Sequence, residues 1–366
     1  MAGSTFGNIF KITTWGESHG RGVGVVVDGC PAGLPLDESD IQKYLDRRKP
    51  GQSRYSTPRK EEDTVEILSG IFEGKTTGTP ISMTVYNKSQ RSRDYSGIAG
   101  YYRPGHADLT YDMKYGFRDY RGGGRSSGRE TIGRVAAGAI ACKVLNQLGI
   151  RILTYTKAIG PIEITPENFD IHQISESPLY MPDSQAAEKA AHYLEECIRS
   201  QDSSGGVIEC VVDGMKPGIG DPSFEKLSAN LAKAVCSIGA VKGFEIGDGM
   251  AAAKAKGSQN NDQYALSPEG GIQKLTNHSG GILGGISDGS QIILRAGIKP
   301  TPSISQKQST VTKSGQTVQI EVKGRHDPII VPRAVVVVES MVALTLLDMM
   351  FASINSNMDN LIRFFS

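Results

Sequence analysis

The stretch Arg118-Asp-Tyr-Arg-Gly-Gly-Gly-Arg-Ser-Ser-Gly-Arg-Glu-Thr131 combines four arginines with four glycines and runs directly into a helical pattern. Apolar residues recur at helical spacing over Ile132–Leu148, and Gly149 is a typical helix stop. Ser127 and Glu130 have the spacing of a capping box, which predicts the start of this helix. Helix starts and arginine side chains both favour anions. The stretch predicts a site for a small anionic molecule rather than a solvated loop or a longer, repetitive nucleic-acid-binding RGG segment.

The chain of 366 residues is nearly neutral, with 40 basic and 39 acidic residues. This balance gives no general reason to expect a nucleic-acid or membrane partner, so the local basic clusters favour a small anionic substrate. The five cysteines are scattered without a Cys-x-x-Cys pair, which indicates a reducing, cytoplasmic compartment with cysteines in the core. We expect no secretory signal at the short, polar start, and we expect the apolar run 334–350 to be a buried helix because polar residues interrupt it. No zinc, calcium or serine-hydrolase motif is present, so we expect no metal site.

Two histidines lie in glycine-containing loops that can place an imidazole in a site. His19 lies in Gly16-Glu-Ser-His-Gly20, and His106 lies in Arg103-Pro-Gly-His-Ala-Asp108. Imidazole titrates near neutral pH, so both are candidates for acid–base chemistry. Taken alone, His19 is slightly better explained as a turn histidine bonded to local backbone, but a second such histidine favours chemistry.

Two further segments have the composition of anion-binding loops. The segment 47–60 holds six basic residues interrupted by prolines and a glycine, and it is either a basic loop over a ligand or a solvated loop. The glycine-rich segment 277–289 precedes a strand and then Lys299-Pro-Thr-Pro-Ser303. Backbone amides together with the lysine and hydroxyl side chains of that last segment would suit a phosphate.

Strand and helix patterns alternate irregularly along the chain, which predicts a mixed α+β fold. Helices are expected near 37–45, 132–148, 183–200 and 222–235, and a further one is expected from Pro332. Segments beginning near 22 and 205 each contain a strand, Val-Val-Asp-Gly, a Pro/Gly turn and a helix. They represent either an internal duplication or a chance similarity of two common β-turn-α units.

Six motifs, taken together, resemble the chorismate synthase family. They occur in the family's order and span nearly the whole chain, whereas each alone is only moderately specific. His278-Ser279 and Ile329 depart from the residues common in the family, so no role is assigned to His278. The motifs are Gly16-Glu-Ser-His-Gly20, Asp46-Arg-Arg-Lys-Pro-Gly51, Arg103-Pro-Gly-His-Ala-Asp108, Tyr120-Arg-Gly-Gly-Gly-Arg-Ser-Ser-Gly-Arg-Glu-Thr131, Gly280-Gly-Ile-Leu-Gly-Gly-Ile-Ser287 and Gly324-Arg-His-Asp-Pro328.

The resemblance implies a layered β-α-β sandwich, compatible with an internal pseudo-repeat, that assembles as a homotetramer. Because no linker divides the sequence, we expect 1–366 to form a single domain. The implied reaction is the last step of the shikimate pathway, which serves aromatic amino acid biosynthesis. In it, 5-enolpyruvylshikimate 3-phosphate loses phosphate and a ring proton by 1,4-anti elimination to give chorismate. The family needs reduced FMN, although there is no net redox change. Whether NADPH or a separate flavin reductase supplies the reduction stays open.

The resemblance also implies roles for individual residues. His19 would donate a proton to the departing phosphate, His106 would protonate or hydrogen-bond the reduced flavin, and Asp327 would accept a proton. Arg48 and Arg54 would hold substrate anions or, alternatively, meet a nicotinamide nucleotide. The full set of substrate ligands would be Arg48, Arg54, Arg129 and Arg333. The residues that hold FMN would be Arg125, Ser126, Ser127, Gly239, Ala240, Gly284, Lys299, Pro300, Thr301, Pro302, Ser303 and Arg325.

Two other functional classes use some of the same features. A non-catalytic binder of phosphorylated metabolites or nucleotides would keep the Gly/Arg loops but has no use for His19, His106 and Asp327 together. An RNA-binding protein would bind RNA in a salt-sensitive manner, which the balanced charge disfavours.

Overall fold

The first of two large sheets contains five antiparallel strands from the N-terminal third of the chain. The computed structural model describes residues 3–56, 61–88, 99–268, 270–322 and 327–366. The strand order is β1-β2-β3-β7-β4, with β3 in the middle and largely buried. A small hairpin, β5–β6, is inserted before β7. The strands are β1 (Thr5–Phe6), β2 (Lys11–Gly16), β3 (Gly22–Asp28), β4 (Val65–Ile67), β5 (Ile71–Phe72), β6 (Lys75–Thr76) and β7 (Ile81–Tyr86).

The second large sheet also has five antiparallel strands, in the order β11-β16-β10-β8-β9. Three small hairpins, β12–β13, β14–β15 and β17–β18, are inserted around it. The strands are β8 (Arg151–Ile159), β9 (Ile162–Glu163), β10 (Gly206–Asp213), β11 (Val241–Ile246), β12 (Tyr264–Leu266), β13 (Ile272–Lys274), β14 (Ile282–Leu283), β15 (Ile286–Ser287), β16 (Ile292–Ile298), β17 (Gln308–Val311) and β18 (Thr317–Ile320).

Four helices, α1, α3, α6 and α8, form the layer between the sheets. Helix α3 packs on the first sheet, α8 packs on the second, and the two helices pack on each other. Gly138 permits this packing, because a Cβ there would lie 2.6 Å from the Cα of Ser340 in α8. The helices are α1 (Glu38–Arg48), α2 (Asp108–Tyr115), α3 (Thr131–Gln147), α4 (Gln173–Glu176), α5 (Ser184–Arg199), α6 (Leu227–Cys236), α7 (Gly257–Asn260), α8 (Val331–Ala352) and α9 (Met358–Phe365).

The arrangement confirms the predicted α+β class and the layered β-α-β sandwich. Helix α8 is long and apolar enough to cross a membrane, but most of it is buried, as the interrupted pattern predicted. Four cysteines are buried as expected, whereas Cys236 is exposed at the end of α6.

The two sheets share one connectivity, which supports the internal repeat over a chance similarity. Written as β9-β8-β10-β16-β11, the second sheet can be compared with the first, β1-β2-β3-β7-β4, position by position. Strands β8, β10, β16 and β11 then take the places of β2, β3, β7 and β4, and both sets occur in the same relative order along the chain. The central strands β3 and β10 are each followed by a turn and a helix, α1 or α6. Further along the chain, each half has an edge strand, β4 or β11, and then a strand that pairs with the central one, β7 or β16. A long helix, α3 or α8, follows.

The N-terminal segment is fastened to the last long helix by one buried carboxylate. Asp348 accepts hydrogen bonds from the backbone N–H groups of Asn8, Ile9 and Phe10, at 2.7 to 3.0 Å. These N–H groups precede β2 and would otherwise lack a partner near the protein core. Asp348 thereby joins the first sheet to α8.

Two local predictions were wrong. Ser127 caps a short 3-10 turn by accepting from the N–H of Arg129, and α3 begins only at Thr131. Glu130 does not complete a capping box with Ser127, because its carboxylate bonds to Thr14 and Arg134 instead. The helix predicted from 222 begins at Leu227, because residues 221–226 form turns that pack against the β14–β15 hairpin.

Candidate active site

The Gly/Arg stretch, residues 118–131, lies between the loops that carry His19 and His106. At its start, Arg118 forms an ion pair with Asp108, at 3.3 Å, two residues after His106. Near its centre, Gly122 lies against His19, and a Cβ at this position would overlap with Nδ1 of the ring. The missing side chain of Gly122 therefore leaves the space that the imidazole fills. The stretch contacts the surroundings of both histidines.

Arg48, Arg129 and Arg333 gather around two carboxylates. Asp63, whose side chain is 0% exposed, accepts from Arg48 at 2.6 Å and from Arg129 at 2.9 Å. Arg333 donates to Asp327 at 2.8 Å and to the backbone carbonyl of Arg48 at 3.1 Å. The structure thus brings three of the four predicted substrate arginines together with the predicted proton acceptor.

Burial and the charge of the ion-pair partner shift the pKa values of Arg48 and Asp63 in opposite directions. Burial, reinforced by the neighbouring Arg333 and opposed by Asp63, lowers the pKa of Arg48 to about 10. Burial also raises the pKa of Asp63, but the charges of Arg48 and Arg129 outweigh it and hold that pKa below its ordinary range. At neutral pH, both partners are therefore charged. Among the described residues, no group accepts a hydrogen bond from the buried Nε of Arg48.

Arg54 lies apart from the other three arginines. Its side chain is 70% exposed and pairs with Glu195 of α5 at 2.6 Å, and its Nε donates to the Tyr55 hydroxyl at 2.7 Å. It borders a cavity of about 520 Å³ with mostly apolar walls, whereas Arg333 borders a neighbouring cavity of about 270 Å³. Arg48, in contrast, is only 2% exposed. Arg48 and Arg54, which were expected to share a ligand, therefore differ completely in solvent accessibility.

His106 is held by the segment that follows the second sheet. Its Nδ1 lies 3.0 Å from the carbonyl oxygen of Pro104, and its Nε2 lies 2.9 Å from the hydroxyl of Ser303. A carbonyl only accepts, so Nδ1 carries the proton and Nε2 accepts from Ser303 in the neutral ring. Lys299 donates to the carbonyl of Gly105 at 2.9 Å and fixes the same turn.

The surroundings of His106 favour its neutral form. Burial and the positive charge of Arg103 lower its pKa below the ordinary value, and these effects outweigh the bond to Pro104 and the charge of Asp108. At neutral pH the ring is therefore mostly uncharged. Such an imidazole is better suited to hydrogen bonding than to donating a proton from a cation.

A line of polar contacts connects the Gly/Arg stretch with the segment 299–303. Arg134 in the first turn of α3 binds Glu130 at 2.8 Å and the hydroxyl of Ser237 at 2.6 Å. Three residues further on, the carbonyl of Ala240 accepts from the N–H of Lys299 at 2.9 Å. Ala240 has a φ of 72°, which is rare for a residue with a side chain. The hydrogen bond from Lys299 holds the backbone of Ala240, so two of the predicted flavin-binding segments, 239–240 and 299–303, are in contact.

The three flavin residues predicted in the Gly/Arg stretch lie beside the end of β2. Arg125 donates to the hydroxyl of Thr14 at 2.7 Å and to the carbonyl of Gly16 at 3.2 Å. The hydroxyls of Ser126 and Ser127 bond to backbone groups of their own turn. Arg125 thus also stabilises the junction between the first sheet and the loop of His19.

Gly284, a further predicted flavin residue, is not brought to this group. Gly284 lies in the β14–β15 turn, and the next carbonyl, of Gly285, accepts from Leu227 at the start of α6. Gly239 and Ala240 follow the other end of α6, whose ten residues span about 15 Å. Arg325 lies outside the described residues.

The sequence reasoning missed three residues of the arginine cluster, Glu61, Asp63 and Asn87. Asp63 follows the basic segment 47–60, and an acidic residue beside so many cations was a usable signal. It also adopts a φ of 48°, which no sequence pattern indicates. Asn87 accepts from Arg129, and nothing in its sequence neighbourhood distinguishes it from any polar residue after a strand.

Comparisons with known proteins identify the family. A family model described as chorismate synthase matches residues 10–351. The chain is 67% identical to the chorismate synthase of Agathobacter rectalis over 365 residues, which cover 100% of this chain and 99% of the relative. The chain belongs to the chorismate synthase family. The chorismate synthase of Chloroflexus aurantiacus is 53% identical, with 95% of each chain covered.

The fold agrees with this membership. A crystal structure of a chorismate synthase superimposes with a TM-score of 0.76 at 31% identity, covering 98% of this chain and 97% of the other. Chorismate synthases are lyases of the shikimate pathway, so the resemblance and the enzyme class expected from the motifs are confirmed.

Proposed function

We propose that the protein converts 5-enolpyruvylshikimate 3-phosphate to chorismate and phosphate by 1,4-anti elimination, with reduced FMN bound. The observation that carries this proposal is the junction formed by the Gly/Arg stretch. On one side the stretch joins His19 to the cluster of Arg48, Arg129 and Arg333, and on the other it reaches the His106 loop.

The arginine cluster is suited to a substrate with one phosphate and two carboxylates. Guanidinium groups bind such oxygens through paired, charge-assisted hydrogen bonds. Arg48 offers a buried Nε that no described residue engages, and an anion oxygen would satisfy it. Asp63 and Glu61 already pair with Arg129, so the cluster is orientated before any ligand arrives.

His19 is the proposed proton donor for the departing phosphate. The hydroxyl of Ser18 lies 3.0 Å from Nδ1 of His19. If this hydroxyl donates, the ring proton resides on Nε2, and that nitrogen would deliver it. Asp327 is the proposed acceptor of the ring proton, and Arg333 orientates its carboxylate.

The segment 299–303 and residues 239–240 are the proposed flavin ligands, together with Arg125, Ser126 and Ser127. The hydroxyl oxygen of Thr301 is buried and has no hydrogen-bond partner among the described residues, which suits a ligand phosphate or ring oxygen. Gly239 faces open space, so a ligand can approach its backbone closely. Reduced FMN supplies transient electron donation, and neutral His106 would hydrogen-bond to it.

We further propose that residues 1–366 form one domain of a cytoplasmic homotetramer, with no nucleic-acid or membrane partner. A single cluster of buried residues includes strands of both sheets, which supports one domain. The exposed Phe364 and Phe365 of α9 support burial against another copy. NADPH or a separate flavin reductase would supply the reducing equivalents.

Anaerobic phosphate release tests the proposed reaction. With chemically reduced FMN and the substrate, the wild-type protein should release phosphate and form chorismate, and oxidised FMN should give no turnover. His19→Ala should lower kcat by about 100-fold or more with an unchanged melting temperature, because a positioned proton donor is lost. Flavin binding without any turnover of wild-type protein would favour the non-catalytic binder. A normal rate for His19→Ala would remove the role of this histidine.

A further inference from the structure

Asn87, the first residue after β7, connects the turn of His19 with Arg129. Its side-chain Nδ2 donates to the carbonyl of Glu17 at 3.1 Å and to the carbonyl of Gly20 at 2.8 Å. Its Oδ1 accepts from Nε of Arg129. All three groups of one amide are therefore used, and they join two parts of the chain that are more than 100 residues apart in sequence.

The partners of Asn87 dictate its orientation. Backbone carbonyls only accept and a guanidinium only donates, so a flipped amide would lose all three hydrogen bonds. The backbone N–H of Asn87 also donates to the carbonyl of Arg21 at 3.0 Å, which holds the residue beside the same turn. Asparagine is therefore matched to a position that needs two donors on one side and an acceptor on the other.

The two carbonyls that Asn87 binds lie on either side of His19. They belong to the first and last residues of the turn 17–20, which is itself closed by the bond from the N–H of Gly20 to the carbonyl of Glu17, at 3.1 Å. The imidazole itself lies against Gly122. The Asn87 side chain thus holds the backbone on both sides of His19, and the same side chain contacts the guanidinium of Arg129, which Asp63 and Glu61 also hold.

We propose that Asn87 is a positioning residue that sets the placement of His19 relative to Arg129. The inference rests on the proposed function, in which His19 donates a proton to the phosphate and Arg129 holds a substrate anion. Asn87 does not touch the reacting atoms. It acts through two groups whose mutual distance decides whether the proton donor meets the leaving group, and small misplacements of that kind cost large factors in rate.

Two substitutions separate the functions of the amide. Asn87→Asp keeps an acceptor for Arg129 but loses both donors to the turn, so kcat should fall about 10- to 100-fold with KM changed less than about 3-fold. Asn87→Leu removes the acceptor as well, so KM should also rise. Lys88→Met is the matched control, because Lys88 is the next residue and its contact within the described part of the chain is an exposed pair with Glu62, at 3.3 Å. The kinetics and the melting temperature of Lys88→Met should match the wild type.

A double-mutant cycle decides whether Asn87 acts through His19. In a His19→Ala background, Asn87→Asp should lower kcat by less than about 2-fold, because the group that it positions is already missing. Independent, multiplying effects of the two substitutions would overturn the proposal, as would a normal kcat for Asn87→Asp alone.

Asn87 and its hydrogen bonds to the turn 17–20 are called the clamp below. Hydrogen exchange tests the clamp without measuring activity. The amide of Gly20 should exchange about 10-fold faster in Asn87→Asp and Asn87→Leu than in the wild type and in Lys88→Met, because the turn is released. Unchanged exchange would overturn the clamp even if the reaction proceeds as proposed. If the wild type releases no phosphate but exchange responds as expected, the proposed function fails and the clamp does not.

Discussion

Replacing Asp63 with asparagine should destabilise the fold, although the two side chains have nearly the same shape. The carboxylate of Asp63 is fully buried and accepts from Arg48 and from Arg129, at 2.6 and 2.9 Å. Asparagine keeps one acceptor oxygen and turns an NH₂ group towards the second guanidinium. One hydrogen bond is lost, and buried positive charge remains with less compensation.

The size of the effect follows from these contacts. A hydrogen bond to a charged group contributes about 1.5–3 kcal/mol, and breaking a buried ion pair from one side costs about 3–5 kcal/mol. Since one acceptor oxygen is kept, we expect a loss of about 3 kcal/mol. With an unfolding entropy of about 2.1 cal/mol/K per residue over 366 residues, this lowers the melting temperature by about 4 °C.

Scanning calorimetry at several pH values measures the difference between Asp63→Asn and the wild type. The folded-state pKa of Asp63 is lowered, because the charges of Arg48 and Arg129 outweigh burial. Its stabilisation is therefore complete above the unfolded-state pKa of about 3.9 and is lost as the pH falls through the lower folded-state value. The gap in melting temperature should be constant from pH 7 to pH 5 and should shrink below about pH 4.

Asp119→Asn is the control, because Asp119 forms an equally short pair with Arg121, at 2.6 Å, with both side chains about half exposed. An exposed pair contributes about 0–1 kcal/mol, so this variant should melt within about 1 °C of the wild type. Equal melting temperatures for Asp63→Asn and Asp119→Asn near neutral pH would refute the reasoning that burial makes the Asp63 pairs important.

Three further substitutions or reactions test other contacts. Gly138→Ala should lower the melting temperature by several degrees despite the higher helix propensity of alanine, since its Cβ meets Ser340, and adding Ser340→Gly should restore part of the loss. No loss in the single variant would mean that the two helices can separate freely. Gly122→Ala should lower turnover while flavin binding persists, because its Cβ displaces the ring of His19; an unchanged rate would contradict the contact. In native protein, a thiol reagent should modify Cys236 rapidly and the four buried cysteines only on unfolding, so two or more fast thiols would be inconsistent with the burial.

The parts of the fold that periodicity encodes were predictable. Helices α3, α5 and α8 begin and end within three residues of the apolar patterns that predicted them. The capping pair Ser127 and Glu130 misled, because Glu130 finds partners on β2 and one turn along α3 instead of the backbone of Ser127. Such tertiary competition is invisible to a local pattern.

The composition of the site was partly predictable, but its connections were not. Clusters of charged residues and glycines predicted that Arg129 and His19 lie in loops of the site. The motif resemblance added Arg48 and Arg333 to the predicted substrate ligands. The carboxylate of Asp63 and the amide of Asn87 acquire their roles only when distant segments meet. Exposure was not predictable either, because Arg54 lies in the same basic segment as Arg48 and yet points to the surface.

The position of α8 in the sandwich has a consequence for how the protein is made. Helix α3 is complete at Gln147, but α8, which covers it and supplies Asp348 to the N-terminal segment, is complete only at Ala352. At about 5–20 residues per second, a ribosome needs about 10–40 s for the intervening chain. During that interval the apolar surface of the first half has no native cover. Closure of the sandwich must therefore wait until α8 has been synthesised.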